Sequence, residues 1–126
     1  MLLIPFVTVK VRKVRGLKIK QKWIQMILSG EKTMEVRSIR YDIQGQRIAL
    51  GNSDNGLVEG YATVKDVIMF PYSEIRKYED KHRATEWLKK YYRGRKLLYG
   101  FILVGIKKEP IPFQYPKSCS ICFTIE

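Results

Sequence analysis

Cysteine is scarce in this chain, with two in 126 residues. That is too few for the disulfide framework of a small secreted domain. Histidine is scarcer still, with one, so a Cys/His metal site lacks its four ligands. Cys119 and Cys122 form a lone C-x-x-C, and within a strand they would face opposite sides. No apolar run approaches the roughly 18–20 residues of a membrane span. The opening "MLLIPFV" is short for a signal segment and has no basic residues before it. It leads into "TVKVRKVR" without a small-residue cleavage site. No repeat, low-complexity tract or Pro/Gly/Ser linker divides the chain. These absences predict one cytoplasmic domain over residues 1–126, with no membrane segment, metal or cofactor and no obligate protein partner.

Acidic residues are also short, 12 against 24 Lys+Arg, a formal net charge of +12. Such an excess attracts polyanions, nucleic acid first and anionic membrane surface second. A chain of this size buries roughly two-thirds of its unfolded surface, enough for a core.

Hydropathy gives the organisation. "FVTVKVRKV" (6–14) alternates apolar and basic residues, a strand period with one wet face. Gly16 is expected to end it, and Leu17–Lys20 to form a short second strand, so residues 1–16 form a basic extension with an added strand. Gln21–Ser29 reads as a helix, with Trp23, Ile24, Ile27 and Leu28 on one face and Gly30 as its αL cap. Lys18, Lys20 and Lys22 crowd its N-terminal end, where the helix dipole disfavours cations and an anion would be welcome. Lys32–Arg37 alternates: Met34 and Val36 face one way, Glu35 and Arg37 the other. "RIAL" and Leu57–Phe70 read as strands, with Gly60 able to bulge the second. Ala84, Trp87, Leu88 and Tyr91 recur at helical spacing and read as core. "LLYGFILVGIK" (97–107) reads as a strand buried on both faces, and "ICFTIE" as a last strand. The result is a mainly β chain with two or three helices, a small barrel covered by helices.

The chemistry concentrates in "SGEKTMEVRS" (29–38). Glu35 and Arg37 lie two apart on one strand, on one face and about 7 Å apart. Arg37 offers a bidentate fork to phosphate or carboxylate. Glu35 can accept from a base amino group or polarise water. Lys32 is a phosphate ligand or, if desolvated, a base or nucleophile. A plain Glu35–Arg37 ion pair fixing a wall is the competing reading. If these two line a cleft, their removal harms function more than stability. Tyr92, Tyr41 and Tyr61 are candidates to stack a base, and His82 reads as a surface residue.

Gly30, Lys32, Glu35 and Arg37 give the spacing G-x-K-x-x-E-x-R. With the helix before it, the "GYATVKDV" strand, the insert "EDKHRATEWLKKYY" and the strand "LYGFILVGIKKEPIPF", the chain from Leu17 to Glu126 resembles the ASCH domains of the PUA-like barrel superfamily. The resemblance implies a PUA-like β-barrel with a basic cleft that binds RNA or a modified nucleoside. The ligand-binding residues it implies are those of the motif, Gly30, Lys32, Glu35 and Arg37, and the reading of the helix end adds Lys20 and Lys22. One branch of the family hydrolyses N4-acetylcytidine, and at least one other member is described as a ribonuclease. The alternative is therefore a hydrolase acting on RNA or on an acylated nucleoside. Lys32 matches the working lysine of the amidohydrolase branch. Its threonine is Glu35 here, a departure at a working residue, and its acid falls near Asp80, with Glu79 adjacent.

Overall fold

The computed structural model describes residues 14–116 and, for the backbone, 122–125. The strand expected over 6–14 and Cys119 of the C-x-x-C lie outside the described residues, apart from Val14.

The chain runs through β1 (Val14–Ile19), α1 (Gln21–Leu28), β2 (Met34–Arg37), β3 (Arg47–Asn52) and β4 (Leu57–Pro71). A 3₁₀ segment (Tyr72–Tyr78), α2 (Glu79–His82) and α3 (Thr85–Tyr91) follow, then β5 (Leu97–Gln114) and β6 (Cys122–Ile125). The expected class, mainly β with a few helices in one small domain, is met. The strands form one sheet in the order β2-β5-β4-β3-β1-β6, with β1 and β3 parallel and the other neighbours antiparallel. The sheet is not closed into a barrel. Among the described residues its ends are β2 and β6.

Gly16 does not end a strand. It lies within β1, opposite Ala49. Gly60 behaves as its position predicts. The β4–β5 register shifts between Val58 and Gly60, and a Cβ at Gly60 would meet the Lys107 carbonyl oxygen and Leu28 Cδ2, both at 2.7 Å. No side chain fits between α1 and β5 there. The expectation for β5 holds for half its length. Leu98, Phe101 and Leu103 are buried, but from Val104 onward the strand outruns the core and is largely exposed. β2 is buried at all four positions, so Glu35 and Arg37 do not face open water.

Burial explains α1 and how it is held. Ile24 and Ile27 are fully enclosed and Trp23 nearly so. The helix lacks a side-chain cap from Lys20 and has no acidic residue in its first turn. Asp54, from the β3–β4 turn, supplies the missing anion, its Oδ2 accepting from the Gln21 N–H at 2.8 Å. The carboxylate thus meets the lysine-crowded helix end from within the chain, a contact of the kind that contributes roughly 0.5–2 kcal/mol. Among the described residues no helix is long and apolar enough to cross a membrane.

Candidate functional site

The exit from α1 sets the site. Gly30 takes φ +85°, its N–H donates to Ile27 O, and the Lys32 N–H donates back to Met26 O at 3.0 Å. The chain therefore doubles back on the helix end and carries the Lys32 side chain inward. Thr33 then joins two elements. Its N–H donates to Lys81 O in α2, and its carbonyl accepts from Leu103 N–H in β5.

Lys32, Glu35 and Arg37 meet as one buried set, 2%, 6% and 7% exposed. Glu35 Oε2 accepts from Arg37 Nε at 3.0 Å and from Nη2 at 2.8 Å. Its Oε1 lies 3.4 Å from Lys32 Nζ. Arg37 Nη2 also donates to the Lys18 carbonyl at 2.7 Å, tying β2 to β1. Lys32 Nζ donates to the His82 carbonyl at 2.6 Å and sits 5.1 Å from the Trp23 ring centroid. Burial lowers the Lys32 pKa below its ordinary value, and the attraction of Glu35 only partly offsets this.

These three line a cavity of about 250 Å³. Trp23, Trp87 and Tyr92 give it aromatic walls, and Lys18, Lys20 and Ser53 also border it. Trp87 stands edge-on to both other rings, 6.5 Å from Trp23 and 5.6 Å from Tyr92. Burial raises the Tyr92 pKa, and the charge of Arg37 pulls against it. Three charged groups enclosed by aromatic carbon suit a planar, polar ligand that stacks and hydrogen-bonds at one edge.

The sequence-derived residues divide. Lys32, Glu35, Arg37 and Lys20 line the cavity. Gly30 and Lys22 do not; Gly30 shapes the turn, and the Lys22 amine lies 4.8 Å from the Trp23 ring. Asp80 is exposed on α2 and is not among the lining residues. Its neighbour Glu79 accepts from the Thr85 N–H at 3.4 Å and raises the Lys32 pKa through its charge. Of the tyrosines proposed to stack, only Tyr92 reaches the cavity. Tyr41 packs on Phe101, and the Tyr61 hydroxyl donates to Glu109 at 2.7 Å. Tyr91, expected in the core, is 58% exposed. Trp23 and Trp87 as walls were invisible to a helical period that separates core from surface but not core from pocket.

His82 reverses the expectation of a surface residue. It is fully buried. Its Nδ1 accepts from the Ala84 N–H at 2.9 Å, which leaves Nε2 to donate to Ile75 O at 2.8 Å. The ring is thus a neutral staple across the insert whose carbonyl holds Lys32. Burial depresses its pKa, aided by the Lys32 charge and opposed by the hydrogen bond to Ile75. As pH falls, the unfolded chain takes up the proton first, near pH 6.5. Stability is therefore full above about pH 6.5 and declines as pH drops toward the folded value. With one histidine in the chain, a proton NMR titration should show an inflection below 6.5. An inflection at or above that value would remove the staple.

A family model, the ASCH domain, matches residues 17–111. No curated protein is significantly similar to the chain. Among solved structures, a serine-to-alanine variant of the ASCH protein of Zymomonas mobilis superposes with TM-score 0.73 at 20% identity, over 82% of this chain and 75% of that one. A tyrosine-to-phenylalanine variant gives 0.72 at 20%, over 82% and 76%. The crystal structure of ASCH from that organism gives 0.68 at 18%, over 75% and 68%.

Proposed function

The chain belongs to the ASCH domain family, and from that premise we propose that its basic cleft, lined by the motif residues Lys32, Glu35 and Arg37, binds RNA through a single base, including a modified one. The observation that carries this is the buried Lys32–Glu35–Arg37 set at the base of a cavity walled by Trp23, Trp87 and Tyr92. The aromatic walls offer stacking, and the set offers both donors and acceptors to a base edge. At about 250 Å³, the cavity is smaller than the roughly 300–1,000 Å³ of drug-sized sites, which fits one base. Lys18 and Lys20 at its border suit the attached phosphate.

One observation favours a second reading, hydrolysis of an acylated nucleoside or of RNA. Burial lowers the Lys32 pKa, in the direction a base or nucleophile needs. Glu35 stands where the amidohydrolase branch has threonine, and Asp80 lies outside the cavity. Binding is therefore the main proposal. The test is to incubate the protein with N4-acylated cytidines and with labelled RNA. Binding without turnover is expected. For single strands, affinity should fall with salt at a log–log slope near −0.7 per phosphate contact. Affinity indifferent to salt would overturn the proposal, and released cytidine or cut RNA would select the hydrolase.

A further inference from the structure

α3 presents two different faces. Trp87 and Leu88, with Tyr92 just past its end, line the cavity. On the other side Glu86, Lys89, Lys90 and Arg93 line a separate depression of about 300 Å³. The one acid of that depression is matched from outside it, because Glu86 Oε1 lies 3.3 Å from Arg76 Nη2. The remaining charge there is three cations. Tyr91 lines neither hollow, but its ring lies 4.6 Å from that of Trp87, tilted by 35°. It is 58% exposed, with Lys90 Nζ 5.3 Å from its ring centroid. An exposed ring packed at a tilt on the pocket wall, with a lysine amine over it and two further cations in the same depression, has the composition of a single-strand platform. Bases stack on such faces in any sequence, while neighbouring cations follow the backbone.

We propose that the α3 edge is a second nucleotide subsite. In this assignment a base adjacent to the one in the cavity stacks on Tyr91, and Lys89, Lys90 and Arg93 hold the backbone phosphates beyond it. The ligand is then a single-stranded polynucleotide, not a free nucleoside. The inference rests on the cavity taking a base. The alternative, a protein partner on this edge, would call for acidic side chains in place of phosphates.

The test compares the four ribonucleoside monophosphates with the matching pentanucleotides by equilibrium dialysis. At least one pentamer should bind tenfold or more tighter than its monophosphate. Tyr91→Ala should reduce that ratio about 5- to 100-fold, the effect of losing one stacked base. Combined Lys89→Glu, Lys90→Glu and Arg93→Glu should flatten the salt slope for the pentamer by about two units, near 0.7 for each lost contact. Tyr91→Ala, at an exposed position, carries the test should the charge reversals fail to fold. A pentamer-to-monophosphate ratio near one, or a ratio that Tyr91→Ala leaves intact, overturns the subsite. In that case monophosphate binding that Trp87→Ala abolishes still supports the cavity. Absence of binding by both ligand classes overturns both assignments.

Discussion

Glu35→Gln should lower the stability of the folded chain by about 3–5 kcal/mol, the usual result of stripping one partner from a buried ion pair. The carboxylate takes two hydrogen bonds from Arg37 and the approach of Lys32 while 6% exposed. Glutamine keeps the shape and one acceptor oxygen. The loss is therefore one of charge, leaving two cations facing each other without an anion. Urea denaturation should show a lower midpoint at an unchanged slope. A loss under about 1 kcal/mol, the range of solvent-screened pairs, would mean that water reaches the set. Sequence alone expects removal of Glu35 or Arg37 to harm function more than stability; with all four positions of β2 buried, a stability cost is expected beside any loss of function.

Lys32→Met should do the opposite to stability and remove function. The lowered pKa of Lys32 means that its surroundings disfavour the ammonium despite Glu35. With the folded value below the ordinary 10.5, the unfolded chain binds the proton more tightly, so stability rises as pH approaches 10.5. Methionine has a similar length and no charge to desolvate. It leaves the neutral Glu35–Arg37 pair in place and gives up the hydrogen bond to the His82 carbonyl. Replacing buried charge by packed apolar groups is often neutral or stabilising by about 1–4 kcal/mol. The expected result is a midpoint equal to or above the parent's, with a weaker pH dependence as pH approaches 10.5 from below. Ligand affinity should fall on the order of 30-fold or more, because a buried charged contact carries about 2–5 kcal/mol. A variant that is folded and binds as the parent does would place the ligand away from Lys32. Lys32→Arg separates the two functional readings, since arginine keeps the charge but holds its proton. Hydrolysis in the parent that is lost in this variant, with binding kept, identifies an enzyme.

What could be read from the sequence was local. Lys32, Glu35 and Arg37 fall within six residues, and one turn and one short strand bring them together. α1 followed from its apolar period, and Gly30 from the need for a left-handed cap. The missing parts depend on contacts between distant segments. Trp87 reaches the cavity from a helix that begins fifty residues or more after Lys32, and its spacing fits a core position equally well. His82 is buried because Ile75 and Ala84 satisfy both ring nitrogens, which no window around "DKHRA" reveals. Asp54 as the anion at α1 depends on the β3–β4 turn meeting a helix more than thirty residues earlier. Tyr91 sits at a core phase of its helix, but α3 stops there and the ring stays outside.

The chain has two tryptophans, and both stand in the walls of the cavity. Light absorbed and emitted by indole therefore comes from this one place, with no background from elsewhere in the molecule. A planar guest against either ring should alter the intensity and colour of that emission, so the unlabelled protein is its own optical titration. Each single replacement of Trp23 or Trp87 by phenylalanine would leave one emitter. The two remaining signals, followed separately, would report which wall the guest touches.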